Sequence, residues 1–147
     1  MVHTLGGIQY GGNYLCEING KNKEMLMDIV VIKLKKGEKK EYFQKNKEMA
    51  ILLLTGNVKV KWQQNEKIMK RDSVFDEAPW CLHVPKITEV TLIAEDESEI
   101  LIQCTDNKEK FQAKFYTPEN CKSDIFGEGT WNGTARREVR TIFDYKN

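Results

Sequence analysis

The segment Glu48-Met49-Ala50-Ile51-Leu52-Leu53-Leu54-Thr55-Gly56-Asn57-Val58-Lys59-Val60-Lys61-Trp62 decides the fold class of this chain. It begins with a continuous apolar run, Met49 to Leu54, which is typical of a strand covered on both faces. It ends, from Val58 to Trp62, in the strict apolar and polar alternation of a half-buried strand. The residues between these runs tolerate tight turns, so we predict a hairpin at Thr55-Gly56-Asn57.

Further strand-like segments lie on both sides of this region, and the residues Asn19-Gly20, Lys36-Gly37 and Asp106-Asn107 provide turn signals between them. No stretch of a dozen residues shows a helical period with caps. The chain therefore predicts an all-β fold of roughly ten short strands with little helix, either a β-sandwich or a small barrel with jelly-roll topology. The additional predicted strands are Tyr14 to Ile18, Ile29 to Ile32, Ser73 to Phe75, Cys81 to Val84, Glu89 to Ala94, Ile100 to Cys104, Phe111 to Phe115 and Val139 to Phe143.

Composition narrows the class of protein. The 147 residues show no repeat and no composition break, so residues 1–147 are expected to form a single domain. Lys and Arg number 23 against 22 Asp and Glu, so the chain lacks the basic excess that is typical of nucleic-acid-binding proteins. The lysines from Lys33 to Lys40 are interrupted by Glu38 and predict a solvated loop. No signal peptide or membrane span is visible, so a cytoplasmic location with four free cysteines is expected.

Three segments, taken in order, resemble a known family. The segments Leu34 to Gly37 and Glu48 to Val60 together look like the first cupin motif. The segment Asp72 to Pro85 looks like the second motif, and Gly133 to Ile142 completes the match. Together they resemble the amino-terminal half of the 5-deoxy-glucuronate isomerase family of inositol catabolism, which is related to the 5-keto-4-deoxyuronate isomerases of pectin breakdown.

This resemblance implies a cupin-type jelly roll and a link to aldose–ketose isomerisation of sugar acids. Members of the family are two-cupin proteins whose carboxy-terminal cupin holds the metal. The chain is therefore expected to be either a half-length relative or one domain of a longer protein. Its expected role is the non-metal, structural or substrate-supporting half of an isomerase. The alternative is a stand-alone, metal-free cupin that binds a sugar acid or another small anion.

The metal site that the resemblance implies needs three histidines and one glutamate, and imidazole with carboxylate suits several transition metals. Two of the histidine positions fall near Phe43 and Lys45, whose side chains cannot replace imidazole. Glu48 lies near the carboxylate position and His83 near the last histidine. The other histidine, His3, is in the amino-terminal tail. No complete metal site, and hence no cofactor, is expected.

Glu48 and His83 are the catalytic candidates. If both face one barrel interior, Glu48 can abstract a proton while His83 shuttles it or polarises a carbonyl. The alternative, which we favour, is structural. Glu48 then enters a strand and pairs with a lysine, and His83 is a partly buried imidazole bound to a backbone carbonyl.

The candidates for binding a ligand are arginines near the carboxyl end. Arg136, Arg137 and Arg140 offer forked donors for a carboxylate, and on a strand Arg136 and Arg140 share a face. The alternative is that these arginines pair with acids such as Glu138 or Asp144. Trp80 is a natural wall for a sugar ring and equally a core residue.

The partners expected of the chain are a small sugar acid and either a second cupin domain or a second copy in a homodimer. Neither nucleic acid nor membrane is expected. A cupin half without its mate exposes an apolar face, which dimerisation would cover. Trp131 and Phe143 are the candidate interface residues.

Overall fold

The computed structural model describes residues 7–144. Within this range the chain forms eleven β-strands, and its helical content is three 3₁₀ turns of three residues each, at Lys23–Met25, Pro118–Asn120 and Trp131–Gly133. The prediction of an all-β chain with little helix is confirmed. The strands are β1 (Gly11–Cys16), β2 (Asp28–Leu34), β3 (Lys39–Phe43), β4 (Lys47–Trp62), β5 (Asn65–Arg71), β6 (Cys81–Val84), β7 (Glu89–Ala94), β8 (Ser98–Asp106), β9 (Lys114–Tyr116), β10 (Lys122–Phe126) and β11 (Arg137–Thr141).

Two antiparallel sheets share the long strand β4. The large sheet has the strand order β1-β2-β8-β4-β6-β9, and the small sheet joins β3, β7, β4 and β5. The first part of β4, Lys47 to Thr55, pairs with β8 in the large sheet. The second part, Val58 to Trp62, pairs with β7 in the small sheet. A single strand thus passes from one layer of the sandwich to the other, which closes the two sheets around one core.

The predicted hairpin at Thr55-Gly56-Asn57 is wrong, because β4 continues without a break through these residues. Its register against β8 shifts between Leu53 and Thr55, and Gly56 has φ 109°. A Cβ atom at Gly56 would lie 2.2 Å from the Ser98 hydroxyl and 2.6 Å from the backbone oxygen of Glu97. The glycine therefore marks a bulge where the strand bends between sheets.

The hairpin instead follows Trp62, which pairs with Asn65 across Gln63 and Gln64. Gln63 has φ 50°, a left-handed conformation that glycine or asparagine adopts more readily. Because neither central residue carries the usual turn signal, the sequence did not indicate this turn or strand β5 after it.

Three other sequence predictions need correction. Ser73 to Phe75 is a turn, in which the Ser73 hydroxyl accepts hydrogen bonds from the backbone N–H groups of Phe75 and Asp76. Within Phe111 to Phe115, only the end joins a strand, since β9 begins at Lys114. In the lysine-rich stretch, Lys33 lies in β2 and Lys39 and Lys40 lie in β3, while residues 35–38 form the exposed turn between the two strands. Charged side chains suit β3, which lies at the edge of the small sheet.

The core lies between the two sheets. On β4 the odd-numbered residues Met49, Ile51 and Leu53 point into it, and after the bend Val58 and Val60 do so from the small sheet. We call this side of the large sheet its inner face. The cluster between the sheets consists of apolar side chains, and the polar residues buried within the described range are Arg71, Thr88 and Ser98. The cluster contains Val30, Ile32, Leu34, Met49, Ile51, Leu53, Val58, Val60, Trp62, Met69, Leu82, Val84, Val90, Leu92, Ala94, Ile100, Ile102 and Cys104.

The opposite side of the large sheet, its outer face, carries the alternate residues of the same strands. Glu48, Ala50 and Leu52 of β4 belong to it, as does His83, which pairs with Ala50. The β10–β11 hairpin and the residues after it lie against this face, with the Phe143 ring stacked on His83. Within residues 7–144, no helix is long and apolar enough to cross a bilayer.

Candidate functional site

Glu48 and His83 meet on the outer face of the large sheet. The Nε2 atom of His83 lies 3.6 Å from the Oε2 atom of Glu48, and the Asn107 side-chain amide donates a hydrogen bond to the same oxygen. Their neighbours Met49 and Val84 take the inner positions, because side chains alternate along a strand. The sequence-based catalytic role assumed that both residues face the barrel interior, and they do not.

Two aromatic rings enclose His83. The centroid of Phe111 lies 4.5 Å from the imidazole centroid, and that of Phe143 lies 4.8 Å away with its ring almost parallel. Burial lowers the pKa of His83, and the neighbouring Glu48 carboxylate opposes this effect only in part. The imidazole is therefore neutral at neutral pH. The adjoining pocket measures about 170 Å³, which is smaller than the roughly 300 to 1,000 Å³ of typical ligand sites.

A larger cleft lies further along the outer face, between the large sheet and the β10–β11 hairpin. It measures about 450 Å³, and we call it the arginine cleft. Arg136 and Arg140 both line it, as their predicted common face requires. Arg137 does not, because it points to the opposite side of β11. The cleft is lined by Leu52, Arg71, Val74, Phe75, Pro79, Arg136, Glu138, Arg140 and Ile142.

Arg71 is a cleft residue that the sequence did not indicate. It ends strand β5, is only 5% exposed, and donates hydrogen bonds to the carbonyls of Leu53 at 3.0 Å, Val74 at 3.1 Å and Glu77 at 2.8 Å. Burial lowers the pKa of its guanidinium, and the nearby Arg140 lowers it further. Arg71 is two residues from the buried Met69, and residues two apart on a strand share a face. This spacing indicates burial only once strand β5 is known.

Arg140 holds the same loop from the other side of the cleft. Its guanidinium donates to the backbone carbonyls of Phe75, at 2.9 Å, and of Glu77. Its Nε atom also lies 3.2 Å from a carboxylate oxygen of Glu138, so the pairing foreseen as the alternative for these arginines is present. Arg136 is less constrained, because its side chain is 49% exposed and its Nε lies 3.7 Å from Glu128.

Trp80 does not line the arginine cleft. Its ring packs against the core beside Phe115, with 5.9 Å between the ring centroids, and it borders a different surface depression with Lys70 and Pro118. A ligand in the arginine cleft therefore has Phe75, rather than Trp80, as its aromatic neighbour. His3 lies outside the described residues.

The residues at the motif positions do not fit a metal of the kind that cupins hold. Phe43 and Lys45 are exposed, and Met49 rather than Glu48 points inward. Among residues 7–144, no three His, Cys, Asp or Glu side chains come together in a way that would hold an ion. The inner face supplies hydrocarbon groups, thioethers and the one thiol of Cys104, which do not make up the imidazole and carboxylate set that such a metal needs.

Comparison with known proteins identifies the family. The model of the KduI/IolB family matches residues 2–147. This chain belongs to the KduI/IolB family. A search of the curated proteins gave no significant match.

Solved structures show the same fold. An IolB-like protein from Salmonella typhimurium LT2 superposes with a TM-score of 0.80 at 19% identity, over 93% of this chain and 51% of its own. The KduI/IolB chain described here therefore spans about half the length of that protein. YlbA from E. coli gives a TM-score of 0.62 at 10% identity, covering 76% and 46% of the two chains. A cupin superfamily protein from Desulfitobacterium hafniense DCB-2 gives 0.53 at 13% identity, covering 67% and 79%. The all-β, cupin-type prediction is confirmed.

Proposed function

We propose that this KduI/IolB-family domain is a metal-free cupin that supports sugar-acid isomerisation structurally, while the reacting metal site belongs to another domain. The observation that carries this proposal is the inner face of the large sheet. This face presents Met49, Ile51, Leu82 and Val84, all fully packed. At two positions where the resemblance implies histidines, the chain has Phe43 and Lys45. A buried apolar cluster contributes stability. Burial raises the pKa of its one thiol, Cys104, to about 11, so the cluster offers neither a base nor an anionic ligand at neutral pH.

Glu48 and His83 fit a structural role in this proposal. The imidazole is stacked between two rings, and the Glu48 carboxylate is engaged by Asn107 and lies near the imidazole. The pocket beside the pair, at about 170 Å³, is smaller than typical ligand sites. The pair therefore anchors the segment after β11 to the outer face, rather than acting as acid and base.

Elemental analysis of the purified protein, together with an isomerase assay on 5-deoxy-glucuronate, tests this function. We expect far less than one equivalent of transition metal per chain, an unchanged melting temperature with chelator, and no turnover by the domain alone. A stoichiometric, chelatable metal would contradict the proposal. Turnover by the wild type that a Glu48→Ala, His83→Ala double variant abolishes would also contradict it and restore the catalytic role.

A second candidate function is binding of a sugar acid or a similar small anion, and the arginine cleft favours it. The cleft has a volume in the range of ligand sites and places Arg136 and Arg140 on one wall. Glucuronate and galacturonate are suitable probes, and binding should raise the melting temperature in proportion to ligand occupancy. No shift with either uronate at millimolar concentration would remove this candidate.

The partner proposed for the domain is a second cupin domain or a second copy of this chain. Trp131 supports this, because its side chain is 81% exposed on the loop between β10 and β11. Phe143 contributes less to such a surface, because it already stacks on His83 and Tyr116. An inositol-catabolic role and a cytoplasmic location remain part of the proposal.

A further inference from the structure

The arginine cleft carries an imbalance of charge. Its lining contains the guanidinium groups of Arg71, Arg136 and Arg140 against the single carboxylate of Glu138. That carboxylate is already engaged, by Arg140 and by the hydroxyl of Ser123. A concave site with low-dielectric walls and an excess of one charge attracts ions of the opposite sign.

Arg71 is the source of most of this imbalance. Among residues 7–144, no carboxylate oxygen lies within the 4.0 Å of an ion pair from its guanidinium, and its partners are backbone carbonyls. Its Nε atom is buried without a hydrogen-bond partner in the same range. The closest acid in electrostatic terms, Glu77, accepts a hydrogen bond from the backbone N–H of Asp72 at 2.7 Å. A buried cation with no anion beside it is costly, and a bound anion would offset that cost.

The rest of the lining is apolar. It includes Leu52, Val74 and Ile142, and the ring of Phe75 at the rim is 86% exposed. A cleft lined by both cations and apolar side chains suits a ligand that has a negative group at one end and a ring with C–H faces at the other. Sugar acids have this character, whereas a neutral hexose lacks the charge and a free inorganic anion lacks the ring.

We propose that the arginine cleft is a binding site for the carboxylate of a sugar acid, with Arg71 and Arg136 as its cationic determinants. This rests on the second candidate function above, and it assigns that binding to particular residues. Arg136 offers a forked donor from the half-exposed side of the cleft, and Arg71 supplies a fixed positive charge from its buried side. Arg140 is a positioning residue, because its donors hold the loop that forms the apolar rim.

Titration of the full chain with glucuronate, followed by calorimetry, tests this assignment. Arg136→Ala should weaken binding about tenfold, which corresponds to about 1.4 kcal/mol, because a charge-assisted fork is lost. Arg71→Lys keeps the charge but not the planar fork and should weaken binding about threefold to tenfold. Arg137→Ala is the matched control, since Arg137 is exposed on the opposite side of the same strand, and its affinity should equal that of the wild type.

Two further ligands test whether the cleft recognises a sugar acid rather than a neutral sugar or a free inorganic anion. Glucose should not bind, and inorganic phosphate should bind more weakly than glucuronate, because it gains nothing from Phe75 and the apolar lining. Tighter binding of phosphate than of glucuronate would overturn the assignment to a sugar acid.

The outcomes also separate the two proposals. If the wild type does not bind glucuronate, the second candidate function fails and this inference fails with it. If the wild type binds glucuronate but Arg136→Ala binds it as tightly as Arg137→Ala, only the assignment of the binding site to this cleft is overturned. The second candidate function then stands. Arg136→Ala decides the matter even if Arg71→Lys does not fold, because Arg136 donates no hydrogen bond to the buried backbone.

Discussion

The inner and outer faces of the large sheet are built from the same strands but differ in chemistry. On β4, Met49, Ile51 and Leu53 face inward among apolar neighbours, while Glu48, Ala50 and Leu52 face outward beneath the carboxyl-terminal hairpin. The inner face is hydrophobic core, and neither Glu48 nor His83 lies on it. The polar side chains that could bind a ligand lie on the outer face, so we expect a ligand to bind there.

The sharpest contrast between the faces is expected in stability. Ile51 is fully buried on the inner face, so Ile51→Ala should lower the free energy of unfolding by about 3 kcal/mol through lost burial and a residual cavity. Leu52→Ala, one residue away on the outer face, should cost about 1 kcal/mol because its side chain borders the open arginine cleft. Urea unfolding of both variants measures the difference. Equal losses would mean that the two faces are packed alike.

A smaller loss of stability is expected from removing the ring of Phe143, which covers His83 on the outer face. Phe143→Ala removes the ring stacked on His83 and Tyr116 and should cost about 1.5 kcal/mol, less than a core deletion because Phe143 is partly exposed. It should also raise the pKa of His83, because burial is what holds that pKa down. Urea unfolding and NMR titration of the imidazole resonances check the two parts. Phe126→Ala, on the exposed hairpin, is the control for loss of a ring alone.

The titration of His83 should make stability depend weakly on pH. Its pKa is lower in the folded chain than the ordinary value of 6.5, so the unfolded chain binds the proton more readily. Stability should therefore fall as the pH drops below about 6.5 and level off below the folded pKa. Glu48 faces the imidazole and limits the effect. His83→Gln should flatten this part of the profile relative to wild type, and an unchanged slope would contradict the burial of a neutral imidazole.

The smallest change in stability is expected at the most exposed part of the hairpin loop. Trp131→Ala should alter the free energy of unfolding by no more than about 0.5 kcal/mol, because the ring is exposed. If the chain forms the expected homodimer through this surface, the same substitution should weaken the dimer measurably by sedimentation equilibrium. A wild-type dimer that Trp131→Ala leaves intact would place the interface elsewhere.

The fold class could be predicted from the sequence because Val58 to Trp62 alternates strictly and Ile100 to Cys104 keeps one apolar face. The error at Gly56 arose because a glycine between apolar runs signals either a turn or a bulge. Only the approach of Ser98, distant in sequence, distinguishes the two. The neighbouring strand β5 was missed because Gln63-Gln64 carries no turn signal.

Only part of the candidate site could be predicted from the sequence. The common face of Arg136 and Arg140 follows from strand geometry, and the structure places both in one cleft. The catalytic hypothesis for Glu48 and His83 required both to face the barrel interior, whereas they meet on the outer face; a shift of one residue in a motif alignment reverses the face. Arg71 required the tertiary structure, because its neighbours Val74 and Arg140 reach it through a loop and a distant hairpin.

Methyl NMR of the full chain during titration with glucuronate tests the division between faces most directly. We expect the methyl resonances of Leu52, Val74 and Ile142 to shift with ligand, because these side chains line the arginine cleft. Those of Ile51, Val60 and Leu82 should stay in place, because the inner face is closed. Shifts confined to the inner methyl groups would show a ligand site inside the barrel and would contradict the account.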